Sequence, residues 1–140
     1  MRPIALMLCL IVPAVFAGCG GGSAPLPSTV ASRQALQASL DAWKAGKPAS
    51  TLSAEKPSIE AVDFEWKAGK VLTEYVLGEN SPGQGTQTFS VTLTLKGQPA
   101  AKSVQYMVLG LDPIRIYRDE DFNRAMNMDN APNSTTKARR

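Results

Sequence analysis

The segment FSVTLTLK, residues 89–96, decides the fold class because apolar and polar side chains alternate strictly along it. Successive side chains of a β-strand point to opposite faces, so this alternation predicts a strand with one buried and one solvated face. Segment 104–108 alternates in the same way, segment 71–77 is rich in β-forming residues, and segments 59–64 and 114–116 are shorter candidates. The chain therefore predicts a sheet of three to five strands joined by turns, which we expect to be antiparallel.

One convincing helix precedes these strands, and its apolar residues recur at the spacing of a helix face. The expected buried residues are Val30, Ala35, Leu36, Leu40 and Trp43. The residues expected on the opposite, polar face are Arg33, Gln37, Asp41 and Lys44. Ser28 or Thr29 is suited to cap the first turn, whereas Gly46 and Pro48 end the helix, since glycine accepts a left-handed cap and proline cannot continue it.

The helix and the sheet are expected to bury each other's apolar surface, because neither can bury its own. The expected fold class is therefore α+β, with one N-terminal helix packed on a curled antiparallel sheet. We expect this domain to cover residues 28–122. Residues 123–140 carry few apolar side chains and are expected to be a disordered tail.

The N-terminus has the pattern of an export signal. Arg2 precedes an apolar run over residues 4–16, which is shorter than the roughly 20 residues that span a bilayer. The following Phe16-Ala17-Gly18-Cys19 resembles the bacterial lipobox, with Phe16 at the position that is usually leucine. We expect cleavage between Gly18 and Cys19, so that residues 1–18 are the signal peptide and Cys19 carries the lipid. The alternative is an ordinary secretory signal cut after Ala17.

A lipidated Cys19 would hold the protein at a membrane, because a diacylglyceryl group plus an amide-linked acyl chain meets the requirement of two anchoring signals. Residues 19–27 are then the lipidated cysteine and a flexible linker, with glycine at positions 20–22. The expected location is the cell envelope after export. If the organism has two membranes, Gly20 favours the outer one by resemblance to known lipoproteins.

Composition excludes several kinds of chemistry. The chain has no histidine, which removes the commonest general base and metal ligand, and we predict no cofactor and no metal. Its two cysteines are Cys9, inside the signal, and Cys19, so the mature chain has no disulfide. The whole chain has 15 basic and 12 acidic residues, and removal of the signal takes away one basic residue, Arg2, and no acidic residue. So small an excess of positive charge argues against a nucleic-acid partner.

Three groups of residues are candidates for a site, and each has a structural explanation that we favour. The acids Asp63, Glu65, Glu74 and Glu79 lack an evident partner for acid–base chemistry. Arg115, Arg118 and Asp119 could line an open cone mouth and hold an anionic ligand, but a solvated edge strand has the same pattern and is the interpretation we favour. The sequence WKAGK occurs at both 43–47 and 66–70, which we interpret as two tryptophan anchors, each followed by a glycine turn.

Segments 40–47, 62–70, 91–95 and 113–120 resemble a group of uncharacterised lipoproteins from planctomycete bacteria. A helix followed by a curled sheet is also similar to the cystatin-like folds, which include the cones of the nuclear-transport-factor-2-like proteins. The resemblance implies a fold of this kind and no particular activity.

We therefore expect a membrane-anchored envelope lipoprotein whose domain is a non-enzymatic binding or scaffolding module, with a protein or an envelope polymer as partner. The alternative is an enzyme or small-ligand binder with a pocket of the nuclear-transport-factor-2-like kind. Such a pocket encloses on the order of several hundred Å³. A deep cavity flanked by Asp63 or Glu65 would favour this alternative.

Overall fold

The computed structural model describes residues 25–83 and 85–129. The predicted signal peptide, the cleavage between Gly18 and Cys19, most of the linker and residues 130–140 lie outside these ranges. Within them, no helix combines the length and the apolar character needed to cross a membrane.

The chain forms three α-helices, one 3-10 helix and five strands within the described ranges. The helices are α1 (Thr29–Lys44), the 3-10 helix (Ala49–Ala54), α2 (Phe64–Lys67) and α3 (Asp119–Asp129). The strands are β1 (Ile59–Val62), β2 (Leu72–Pro82), β3 (Gln87–Leu95), β4 (Lys102–Leu109) and β5 (Ile114–Arg118).

The five strands form one open, mixed sheet in the order β1-β5-β4-β3-β2. The pairs β2–β3, β3–β4 and β4–β5 are antiparallel, whereas β1 runs parallel to β5, with Ile59 opposite Ile114 and Val62 opposite Tyr117. The α+β class is confirmed, but the expectation of a wholly antiparallel sheet is wrong. Alternation identifies a strand without identifying its neighbour, and here the first strand lies beside the last.

The core lies between α1 and one face of the sheet. Leu36, Leu40 and Trp43 are at most 2% exposed, and Ser28 caps α1 by accepting a hydrogen bond from the Ala31 amide. Val30, expected on the buried face, is instead 66% exposed, because it lies about two helical turns before the exposed Gln37 and so shares the outward face of α1. The sheet contributes the following fully buried side chains: Leu72, Phe89, Val91, Leu93, Val108 and Ile116.

Helix α3 crosses the boundary expected at residue 122, so helical structure continues into the segment expected to be a disordered tail. Three acids, Asp119–Asp121, occupy its first turn, where the helix dipole favours negative charge. Phe122 packs edge-to-face on Tyr117 with ring centroids 5.6 Å apart. These contacts stabilise a helix that its low apolar content does not suggest.

Candidate binding groove and buried ion cluster

Four polar side chains meet at the ends of β1 and β5. Arg118, the last residue of β5, is 1% exposed and pairs with Asp63 at 2.7 Å and with Glu65 at 2.8 Å. The hydroxyl of Tyr106, directly opposite Arg118 on β4, donates a hydrogen bond of 2.5 Å to Asp63 Oδ2. The structure therefore brings together Asp63 and Glu65 from the predicted acids and Arg118 from the predicted basic cluster.

Asp63 is fully engaged in this arrangement. Its Oδ1 accepts hydrogen bonds from the amides of Glu65 and Trp66, at 2.9 and 3.0 Å, and so caps α2. Its Oδ2 accepts from Tyr106 and faces Arg118. A carboxylate has about four lone-pair sites, and here all have partners while the residue is 5% exposed. Asp63 therefore positions α2 and compensates the buried arginine rather than offering a free base.

The cluster also changes the acidity of its members. Burial would raise the pKa of Glu65, but hydrogen bonds from Arg118 and Lys70 outweigh it and hold that pKa below its usual value. Burial raises the pKa of Tyr106 strongly, and the neighbouring Asp63 charge adds to this. For Arg118, burial alone would lower the pKa, yet its partners raise it. Near neutral pH Arg118 is therefore charged, Glu65 is ionised and Tyr106 is neutral.

The space beneath the cluster is almost filled. Between α1 and the sheet, a void of about 10 Å³ is lined by residues that include Trp43, Tyr106 and Ile116. One water needs roughly 10–15 Å³, so this void holds one at most. This void is therefore far smaller than the enclosed cavity that the alternative interpretation requires.

The two WKAGK segments lie side by side, each at the C-terminal end of a helix. The Trp43 and Trp66 rings stack with centroids 5.7 Å apart and planes inclined by 11°. Trp43 Nε1 donates to the Lys70 carbonyl at 2.7 Å, and Trp66 Nε1 donates to the Lys47 carbonyl at 3.1 Å. Each tryptophan therefore binds the last residue of the other segment.

The two segments also end their helices in the same way. Gly46 and Gly69 have φ of +72° and +81°, which glycine adopts at little cost. Lys47 N–H donates to the Ala42 carbonyl, and Lys70 N–H donates to the Glu65 carbonyl, as in a Schellman motif. The predicted tryptophan anchors and glycine turns are therefore present. The second segment ends α2 rather than opening a strand, and the prediction missed the contact between the two segments.

Two clefts share Trp66 and Pro48 in their linings. One has about 450 Å³, and its lining includes Asp63, Phe64 and Lys67. Asp63 thus borders a cleft that is open to solvent, and its carboxylate oxygens already have partners. The other has about 290 Å³, and its lining includes Lys47, Lys70 and Val71. We call the two together the twin-tryptophan groove. Its floor is mainly apolar, and its basic side chains come from the WKAGK segments.

The remaining candidates are dispersed. Arg115 is exposed and pairs with Glu60 of β1 at 3.1 Å, and Asp119 begins α3. The edge-strand interpretation of Arg115, Arg118 and Asp119 is wrong, because β5 lies between β1 and β4. Glu74 and Glu79 are exposed on β2, away from the cluster. One signal could have located Arg118: it is in phase with the buried Ile114 and Ile116.

Among the residues that the structure describes, none form a group of three or more side chains suited to hold a metal ion. No protein-family model matches this chain, and no curated protein matches it in sequence.

Proposed function

We propose that this protein is a lipid-anchored envelope lipoprotein whose domain is a non-enzymatic binding module. The anchor is inferred from Phe16-Ala17-Gly18-Cys19 and the preceding apolar run. The binding role is supported by a difference in accessibility between the buried ion cluster and the twin-tryptophan groove. Asp63 is saturated by its own neighbours, whereas the twin-tryptophan groove is open and mainly apolar.

The fold assignment within the α+β class is also a proposal. The single long helix α1 across a sheet of order β1-β5-β4-β3-β2 supports a cystatin-like or nuclear-transport-factor-2-like arrangement. The filled interior argues for a scaffold that binds at its surface rather than inside a cone. We likewise propose that the chain is related to the planctomycete lipoproteins that it resembles.

Replacement of the lipidated cysteine tests the anchor. We expect Cys19→Ser to abolish partitioning of the protein into the detergent phase and to block incorporation of labelled palmitate. Cys9→Ser is the matched control, because Cys9 lies within the predicted signal and should not affect either property. Equal palmitate labelling of wild type and Cys19→Ser would refute the lipid anchor.

A further inference from the structure

The twin-tryptophan groove has the dimensions and the surface of a ligand site. Its two parts, about 450 and 290 Å³, meet at Trp66 and Pro48. Ligand sites typically have roughly 300–1,000 Å³ and a mostly apolar lining with few polar groups. One face of the Trp66 ring is covered by Trp43, while the residue is only half-buried and lines both parts. An aromatic surface is therefore available where the two parts join.

The charge of the groove selects for anions. Lys47, Lys67 and Lys70 line it, and the one acid in its lining, Asp63, is already paired with Arg118. Lys70 shares Glu65 with Arg118, but Lys47 and Lys67 form no ion pair with any residue that the structure describes. The groove therefore presents uncompensated positive charge beside an apolar floor.

The same lining argues against a neutral sugar chain as the ligand. Recognition of many hydroxyl groups requires many hydrogen-bonding side chains, and an unpaired polar group that is buried costs free energy. Besides its lysines, the side chains of the groove offer the carboxylate of Asp63 and the indole N–H groups of Trp43 and Trp66, and all of these already have partners within the protein. Its concave form also does not suit a flat membrane surface.

We propose that the twin-tryptophan groove binds an organic anion with an apolar body. The apolar part lies against Trp66 and Phe64, and the anionic group is attracted by the positive charges of Lys67 in the larger part and Lys47 in the smaller part. The reciprocal indole hydrogen bonds hold the backbone of both lysine-bearing segments, so the site is largely formed before the ligand binds. This inference rests on the proposed binding function and names its site and ligand class.

The chain is well suited to a direct test, because Trp43 and Trp66 are its only two tryptophans. The full-length protein, as isolated from the envelope, is placed in nanodiscs of zwitterionic phospholipid, and its two indole N–H signals are followed by NMR. The probe is 2-naphthyl phosphate. The comparison compounds are 2-naphthyl glucoside, which has the same ring without charge, and inorganic phosphate, which has the charge without the ring.

We expect 2-naphthyl phosphate to shift the indole signals at concentrations about tenfold lower than either comparison compound, as expected if charge and apolar contact both contribute. Lys47→Gln combined with Lys67→Gln should weaken this binding about fivefold, since each exposed charge contributes modestly. Lys56→Gln is the matched control, because Lys56 lies outside the groove, and it should bind as the wild type does.

Three results would overturn the proposed site: indole signals that do not respond, equal binding of the glucoside, or unchanged binding by the double lysine variant. None of them bears on the lipid anchor, which the Cys19→Ser experiment tests separately. Release of inorganic phosphate from the bound probe would contradict the non-enzymatic part of the proposed function, while binding itself would still support the groove.

Discussion

Two arginines on β5 show how strongly position in the sheet changes the role of one residue type. Arg115 points to the solvated face and pairs with Glu60, each side chain being about half exposed. Arg118 lies three residues further along the same strand, so its side chain points to the opposite face of the sheet, where it is buried between Asp63 and Glu65. An exposed pair contributes little to stability, whereas a buried arginine without its partners is costly and so is a carboxylate without its arginine.

We predict that Arg118→Met lowers the free energy of unfolding by about 3–5 kcal/mol, because it leaves the buried Asp63 charge without its partner. Arg115→Met, which removes the same charge from the same strand, should cost about 0–1 kcal/mol. Urea denaturation of both variants measures the difference. If the two variants are equally stable, the buried pair is not an important contact.

At the scale of elements, the ends of α1 and α2 are joined by the stacked rings of Trp43 and Trp66 and by their indole hydrogen bonds to the Lys70 and Lys47 carbonyls. We call this contact the clasp between α1 and α2. α2 has only four residues and is held by the Asp63 cap, by Asp121, which accepts a hydrogen bond from the Phe64 amide, and by the stacked tryptophans. So short a helix is not stable alone, since helix nucleation is unfavourable. Its formation therefore depends on these tertiary contacts.

We predict that Trp43→Ala lowers the free energy of unfolding by about 3–5 kcal/mol, since it removes a buried ring and leaves a cavity beside Trp66. The suitable control is Gln37→Ala on the exposed face of α1, with an expected change of about 0.5 kcal/mol or less. Asp41→Ala is a poorer control, because Asp41 accepts a hydrogen bond of 2.6 Å from the Tyr75 hydroxyl. Similar unfolding midpoints for Trp43→Ala and Gln37→Ala would contradict the packing of α1.

At the scale of the whole molecule, one continuous core connects α1, the 3-10 helix and all five strands. Leu52 from the 3-10 helix and Ile59 from β1 belong to the same cluster as Phe89 of β3. Because no part of the described domain has a core of its own, we expect it to unfold in one cooperative step.

This cooperativity predicts that two spectroscopic probes report one transition. Tryptophan fluorescence follows the clasp between α1 and α2, whereas far-ultraviolet circular dichroism is dominated by the sheet and α1. The midpoints of the two urea transitions should coincide. A fluorescence transition at lower urea would mean that the clasp opens before the sheet unfolds, and the core would then not be a single unit.

The sequence alone predicted the elements whose pattern is local. Capping by Ser28, the buried face of α1 at Leu36, Leu40 and Trp43, and the alternation along β3 all depend on residues close together in the chain. The same holds for the glycine turns of the two WKAGK segments. Periodicity and turn chemistry determine such features, because each residue's neighbours along the chain already fix which face it occupies.

Only the tertiary structure decided which distant segments meet. Because β1 pairs with β5, β5 is an inner strand rather than the edge strand that we expected. The same pairing places Arg118 beside Asp63. The exchange of indole hydrogen bonds between the WKAGK segments likewise joins Trp43 to Lys70. These contacts depend on burying surfaces that lie far apart in sequence, and a repeat or an alternation carries no information about the partner it will pack against. The buried ion cluster and the groove are therefore properties of the folded chain.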